Sequence, residues 1–168
     1  MSQTIDIQVT FDADSILKHD TTPSTNPNEP RSVNSKYVFM VVADDEAVSG
    51  NGGSTLTVKA ETDDTIRWRE TTPGVDYSTI LYAFKATTGE ELITTPQPVT
   101  SEVTVPLPNK DNLTEPGRQK IKDFFWNCIA QTPGNVIYHF NFMIVSRSGK
   151  IKGYYYWDPY INITDPTD

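Results

Sequence analysis

The feature that most constrains the fold is a strict alternation of apolar side chains from Val136 to Val145. One parity carries the larger apolar row: Val136, Tyr138, Phe140, Phe142 and Ile144. Successive side chains of a β-strand point to opposite faces, so this row predicts a strand with one buried face. The other row also becomes apolar towards its end, at Met143 and Val145. The stretch is therefore predicted to be a central strand.

Shorter segments repeat this alternation between turns that are rich in Gly and Pro. They cover residues 4–11, 55–60, 65–70, 78–85, 99–107 and 151–157. Residues 37–42 (YVFMVV) form a continuous apolar run, which is typical of a strand buried on both faces. The pattern predicts an all-β fold, an antiparallel β-sandwich of jelly-roll or immunoglobulin-like type with about 8–9 strands. We expect one domain over residues 1–168, with a long loop at residues 12–35.

One segment, residues 115–131, fits two periods. Helical spacing groups one set of apolar residues: Ile121, Phe124, Phe125, Cys128 and Ile129. Period two instead groups Phe124, Trp126, Cys128 and Ala130. The periodicity slightly favours a helix, and Thr114 followed by Glu115 and Pro116 suits a helix start. At most one short helix, near residues 115–122, is expected beside the strands.

Composition limits the partners and the compartment. The chain has 168 residues and a formal net charge of −8, and an acidic surface repels the phosphates of nucleic acid and anionic membranes. Cys128 is the only cysteine, which excludes an intrachain disulfide. The N-terminus lacks the basic and apolar segments of a signal peptide. No apolar run approaches the roughly 20 residues that span a bilayer. We therefore expect a cytoplasmic protein with neither nucleic acid nor membrane as a partner.

Catalytic and metal-binding patterns are weak. His19 lies in the long loop, His139 lies in the central strand, and neither has a partner in a known motif. Cys128 is predicted to be a buried, inert thiol, since free cysteine is among the most buried residue types. Acidic groups at residues 12–14, 44–46 and 63–64 lack the spacing of a known calcium loop and are interpreted as solvated turns. We expect no enzyme activity, no catalytic residues, no cofactor and no metal.

Two candidate ligand-binding residues lie in the run RWRE. On a strand, Arg67 and Arg69 share one face, while Trp68 points the other way into the core. Two guanidinium groups on one face either form ion pairs with neighbouring carboxylates or recognise a carboxylate or another polar group of a ligand.

The run IKGYYYWDPY carries the other three candidates, Tyr154, Tyr156 and Asp158. On a strand, Tyr155 and Trp157 form one row and Tyr154 and Tyr156 the other, so one row of rings is predicted to be core. Tyr154 and Tyr156 are then either structural or a surface on which a sugar stacks, with Asp158 bonding hydroxyls. The Pro after Asp158 ends the strand.

Two segments resemble the bacterial inclusion body protein family, which includes AidA and PixA. They are YVFMVVADDEAVSGNGGSTLTVKAETDDTIRWRETT (residues 37–72) and YHFNFMIVSRSGKIKGYYYWDPYINI (residues 138–163). The resemblance implies a small cytosolic protein that is regulated by quorum sensing or growth phase. It also implies either inclusions or a nematocidal, virulence-linked role. The inclusion-forming branch is rich in methionine and this chain has three, which favours the AidA branch. The family pattern also favours a strand at residues 122–131.

Two hypotheses of different classes follow. The first is a non-enzymatic protein of the inclusion or host-interaction type, with a homo-oligomer, an inclusion or a host protein as its partner. The second is a lectin-like module that binds a carbohydrate or another small ligand through Arg67, Arg69, Tyr154, Tyr156 and Asp158. The first allows accumulation in inclusions or release by a non-classical route.

Overall fold

A computed structural model describes residues 2–165, which form twelve strands and one short α-helix. The helix is α1 (Ala13–His19), and single turns of 3-10 helix lie at Ser35–Tyr37, Asp44–Glu46 and Glu90–Leu92. The first six strands are β1 (Thr4–Phe11), β2 (Arg31–Ser32), β3 (Val38–Val41), β4 (Ala47–Ser49), β5 (Thr57–Glu61) and β6 (Thr65–Thr71). The rest are β7 (Tyr77–Thr88), β8 (Gln97–Leu107), β9 (Gly117–Ile129), β10 (Gly134–Ser146), β11 (Ile151–Trp157) and β12 (Tyr160–Thr164). No helix in residues 2–165 has the length and apolar character needed to cross a bilayer.

The strands form two sheets that share one hydrophobic core. Sheet A has the order β3-β1-β6-β9-β8, and sheet B the order β2-β11-β10-β12-β5-β4, with β7 on the other side of β10. Aromatic contacts join the sheets across the core. The rings of Phe11 and Phe142 stack with centroids 4.1 Å apart, and Trp68 Nε1 donates a hydrogen bond of 2.8 Å to the Tyr138 hydroxyl. The bond satisfies both buried polar groups.

The prediction that the most strongly alternating stretch is a central strand is confirmed. β10 pairs with β7 along one edge and with β11 and then β12 along the other. Its predicted core row is completely buried: Val136, Tyr138, Phe140, Phe142 and Ile144. β10 therefore organises sheet B and fixes which face of β11 turns inward.

The expectation of an antiparallel architecture is wrong for three strand pairs. β1 pairs with β6, β11 with β2 and β12 with β5 in parallel, so both sheets are mixed. The alternation of side chains is the same in parallel and antiparallel strands, which is why the sequence pattern could not separate them. The choice between a jelly-roll and an immunoglobulin-like topology stays a prediction.

The helix lies in a different place from the one predicted. Residues 115–122 form no helix, and β9 runs as a strand through Gly117–Ile129, in agreement with the family pattern. α1 instead lies inside the predicted loop at residues 12–35. The Asp12 side chain caps it by accepting a 3.0 Å hydrogen bond from the Ser15 amide, and Ala13 and Ile16 are buried on the core.

The apolar run at residues 37–42 is an edge strand and is not buried on both faces. Phe39 and Val41 are 42% and 50% exposed, while Val38 and Met40 on the other face are buried. The free edge of β3 is covered by the turn at residues 50–53. The Gly52 amide donates to the Met40 carbonyl at 2.7 Å, and the Met40 amide donates to the Gly53 carbonyl at 2.9 Å. This cover removes an open edge to which another chain could pair.

Candidate functional site

Arg67 and Arg69 lie on the outer face of sheet A, where carboxylates of the chain itself bind them. Arg67 donates two hydrogen bonds to Asp6, with Nε to Oδ1 at 2.8 Å and an amino group to Oδ2 at 2.5 Å. Arg69 bridges Asp6 at 2.6 Å and Asp123 at 2.7 Å. Both guanidinium groups also lie over the Phe125 ring, 5.2 and 4.9 Å from its centroid. These ion pairs, which we call the ionic row, therefore tie β1, β6 and β9 together.

The titration of this row reflects the same contacts. Burial acts to raise the pKa of Asp6, but hydrogen bonds from Arg67 and Arg69 lower it below its ordinary value. Hydrogen bonding by Arg69 likewise lowers the pKa of Asp123. The arginines are thus arranged as internal ion pairs, which is the structural alternative left open by the sequence. A ligand carboxylate would compete with Asp6 and Asp123.

Tyr154 and Tyr156 lie on the outer face of sheet B. Tyr155 and Trp157, on the opposite row, are 1% and 4% exposed, which confirms that one row of rings is core. Tyr154 and Tyr156 are half-buried. The Tyr82 ring meets Tyr154 edge-on at 5.6 Å. The Tyr82 hydroxyl donates to the Pro27 carbonyl at 2.8 Å, which holds the loop after α1 beside this row.

Asp158 ends the aromatic row beside His139. Its Oδ1 lies 3.7 Å from His139 Nδ1, and the His139 ring lies 5.3 Å from the Tyr156 ring. Burial lowers the pKa of His139, and the Asp158 charge partly opposes this. The structure therefore brings Asp158 and Tyr156 together but leaves Arg67 and Arg69 on the other sheet. The five predicted residues form two separate surfaces.

Cys128 and His139 do not form a catalytic pair. Cys128 is buried in the core, and burial raises the pKa of its thiol to about 12. His139 alternates with Tyr138 and Phe140 of the core row, so it lies on the outer face of sheet B. A thiol with this pKa carries almost no thiolate at neutral pH, and the nucleophile needs a thiolate.

The interpretation of the acidic groups as solvated turns is wrong for Asp64. Asp64 is 1% exposed and accepts hydrogen bonds of 2.8 Å from the amides of Gln3 and Glu61. Asp12 caps α1. Across residues 2–165, no three Asp, Glu, His or Cys side chains come together in a metal-binding arrangement.

A buried carboxyl group that the sequence interpretation missed lies between the sheets. Glu70 continues the core row of β6 after Ile66 and Trp68. Its Oε2 and the Oγ1 of Thr79 are both buried and find no hydrogen-bond partner among residues 2–165, and both residues line a polar cavity of about 520 Å³. Burial raises the pKa of Glu70 to about 7. The alternation along β6 places Glu70 on the core face, and this is the signal from which the sequence could have predicted a buried carboxyl group.

The hairpin of β8 and β9 forms an arm that extends beyond sheet A. β9 pairs with β8 through Gly117–Asn127 but with β6 only through Trp126–Ile129. We use "arm" for residues 99–107 and 117–124. One face of the arm carries an incompletely buried apolar row: Val99, Val103, Val105, Leu107 and Ile121. Leu107 and Ile121 are 38% and 37% exposed.

The family model described as PixA, inclusion body protein, matches residues 3–163. The chain belongs to the PixA inclusion body protein family. A crystal structure of an inclusion body protein (PixA) from Burkholderia cenocepacia J2315 superposes with a TM-score of 0.81, at 19% identity over 97% of each chain. At that identity, the superposition shows that the PixA relative shares the fold.

Other solved structures resemble the chain only weakly. A cysteine protease inhibitor from Entamoeba histolytica matches with a TM-score of 0.31 at 11% identity, over 64% of this chain and 86% of that one. The solution structure of amebosin matches with a TM-score of 0.27 at 7% identity, over 72% of this chain and 93% of that one. No curated protein matches the chain. Neither weak likeness bears on what this PixA-family protein does.

Proposed function

We propose that this protein is a non-enzymatic member of the PixA family that self-associates through the apolar face of its hairpin arm. The observation that carries the proposal is the row from Val99 to Leu107, with Ile121 beside it, which the chain does not bury completely. Covering apolar surface that a protein leaves in water lowers the free energy of the system. A second copy of the chain is the occupant to which we commit.

The edge of the arm supports association through this face and disfavours strand addition. β8 is the last strand of sheet A, and Pro98 and Pro106 lie near its two ends. Proline has no N–H, so these residues cannot donate hydrogen bonds to an added strand. The opposite face of the arm is more polar, with Lys120 paired to Glu102 at 3.1 Å. The arm is therefore amphipathic.

Sedimentation velocity over a range of concentrations tests the proposal. We expect the wild type to form larger species as its concentration rises, and the double variant Val103→Asn/Ile121→Asn to stay monomeric. Thr100→Asn/Thr104→Asn is the matched control, because these threonines lie on the opposite face of β8. A monomeric wild type at every concentration, or an equal effect of the control, would contradict the proposal.

The finer roles rest on the resemblance alone. We propose that the protein is regulated by quorum sensing or growth phase. We also propose a nematocidal or virulence-linked action of the AidA type on a host. In this proposal the protein is cytoplasmic and either forms inclusions or is released. The lectin-like alternative is less favoured. Tyr154 and Tyr156 are half-buried, and the guanidinium groups of Arg67 and Arg69 are bound by carboxylates of the chain. A stacking surface for sugars needs open ring faces.

A further inference from the structure

A cavity of about 240 Å³ lies where α1, the segment of residues 31–37 and β11 meet. Its apolar wall consists of Ile16, Val33 and Tyr37, and its polar lining includes His19, Asp20, Arg31, Lys36 and Tyr155. The sequence interpretation assigned no role to this cavity. Its size suits one small molecule and excludes a folded partner or a long glycan.

A buried hydroxyl group, that of Tyr155, lies at the cavity beside the Asp20 carboxylate. Tyr155 is 1% exposed, and its hydroxyl finds no hydrogen-bond partner of standard geometry within residues 2–165. Burial raises the pKa of this phenol most, and the charge of the Asp20 carboxylate and a side-chain contact with it raise the pKa further, so the phenol stays protonated and can donate. A buried donor without a well-formed hydrogen bond costs up to about 1–3 kcal/mol. A ligand oxygen at this point would remove that cost.

The sequence of β11 allows the Tyr155 ring to take this position. A Cβ atom on Gly153 would come within 2.9 Å of a ring carbon of Tyr155 and within 2.7 Å of Pro23. The glycine therefore leaves room for the ring along the strand, where it stacks on Phe142 with centroids 5.6 Å apart. The hydroxyl is held by packing and is preorganised.

Positive charge borders the cavity in a protein that is acidic as a whole. One terminal nitrogen of Arg31 lies 3.4 Å from Asp20 and donates to the Thr22 carbonyl at 2.6 Å. The described residues accept no hydrogen bond from the Nε or the second terminal nitrogen of Arg31. Lys36 Nζ lies 4.8 Å from the centroid of the Tyr37 ring. Two cations and one carboxylate leave a net positive charge at the cavity.

His19 adds a group with a defined tautomer. Its Nδ1 lies 2.8 Å from the Ser15 carbonyl oxygen, and a carbonyl only accepts, so Nδ1 carries the proton. The ring stacks on Tyr37 with centroids 5.6 Å apart. Nε2 is then an acceptor in the neutral ring and a donor in the protonated ring.

We propose that this cavity binds a small monocarboxylate with an apolar body. Arg31 offers the two-nitrogen edge that matches a carboxylate, Lys36 adds a second cation, and Tyr155 supplies a neutral donor. Ile16, Val33 and Tyr37 suit the apolar part. Asp20 disfavours a doubly charged phosphate. The site is separate from the arm and does not depend on self-association.

Benzoate is the first probe, within a panel that also contains acetate and phenylacetate, and benzamide is the neutral isostere. Binding is followed by amide chemical shifts in ¹H–¹⁵N spectra of the full chain. We expect saturable binding of at least one carboxylate, with shifts centred on residues 16–37 and β11, and binding of benzamide that is about tenfold weaker.

Tyr155→Phe is the decisive variant because it keeps the ring and its packing. Because the Tyr155 hydroxyl forms no hydrogen bond of standard geometry within residues 2–165, its removal should change the melting temperature little. The proposal predicts that carboxylate affinity still falls about fivefold. Lys36→Gln should lower affinity about tenfold. The matched controls are Tyr154→Phe, which changes the neighbouring tyrosine on the outer face, and Lys85→Gln, which changes a lysine on β7. Both variants should bind the carboxylate with the affinity of the wild type.

Three results would overturn the assignment. They are the absence of saturable binding by every carboxylate of the panel, equal affinity for benzoate and benzamide, and unchanged affinity in both Tyr155→Phe and Lys36→Gln. Arg31→Gln is a weaker test, because it also breaks the contacts with Asp20 and Thr22. The neutral change at Tyr155 avoids that difficulty.

Discussion

At the scale of single residues, the most unusual group is the carboxyl of Glu70. Its pKa of about 7 lies above the ordinary value of 4.5 because it is buried between the sheets. The folded protein therefore holds this proton over a pH range in which the unfolded chain releases it. Below about pH 4.5 the group carries no penalty. As the pH rises towards 7, ionisation in the unfolded chain destabilises the fold.

We predict that Glu70→Gln stabilises the protein at neutral pH and has little effect in acid. The difference between a pKa of 4.5 and one of about 7 corresponds to about 3 kcal/mol of unfolding free energy above pH 7. The gain should vanish as the pH falls to about 4.5. Urea denaturation of both proteins at several pH values measures it.

The control is Glu91→Gln, since Glu91 is exposed beside the 3-10 turn at residues 90–92. This change should shift the urea midpoint little at any pH. If Glu70→Gln gave a pH-independent difference, the pKa of Glu70 would be the same in the folded and unfolded states. That result would contradict the raised pKa.

At the scale of elements, alternation predicted most of the strands, including β8 of the arm, and failed for its partner β9. β1, β6 and β10 were recognised because each places apolar residues on the core at every second position. In the arm, both faces meet solvent, so burial imposed no period on β9. Its Phe124 is 41% exposed, and the helix-like spacing of its apolar residues reflected no buried helix face.

The helix and the site were harder to predict for different reasons. α1 has only 7 residues, too few to show a convincing helical period. The pairing of Arg67 and Arg69 with carboxylates could be named as an alternative, but Asp6 and Asp123 come from distant segments. Sequence spacing carries no information about which strands become neighbours. The cavity beside Tyr155 likewise needed the position of α1.

The bridge between Arg69 and Asp123 should stabilise the junction of β6 and β9. Both side chains are partly buried, with 27% and 18% of their surfaces exposed, so the pair is screened less than a surface pair. We predict a coupling energy of about 1 kcal/mol from a double-mutant cycle that uses Arg69→Met and Asp123→Asn. Urea denaturation of the four proteins supplies the values.

A second pair on the same sheet is the reference. Lys120 and Glu102 are 74% and 63% exposed at a separation of 3.1 Å, and their coupling should amount to a few tenths of a kcal/mol. Equal coupling in the two cycles would mean that burial adds nothing to the bridge. The ionic row on sheet A would then be no more than a solvated surface.

At the scale of the whole molecule, charge and the apolar arm would act against each other in the self-association that we propose. A net charge of −8 makes copies of the chain repel, whereas contact between arms removes apolar surface from water. Salt screens the repulsion between copies and does not weaken the burial of apolar surface. The Debye length falls from about 30 Å at 0.01 M to about 3 Å at 1 M ionic strength.

We therefore predict that sodium chloride strengthens self-association, as sedimentation equilibrium would show by a larger association constant at higher salt. The sign identifies the force. If ion pairs between copies held the assembly, added salt would dissociate it, because screening weakens attraction between opposite charges. Val103→Asn/Ile121→Asn should stay monomeric at every salt concentration, because this variant lacks the apolar contact that would hold two copies together once their repulsion is screened. Salt-induced association that persists in this variant would place the contact outside the arm.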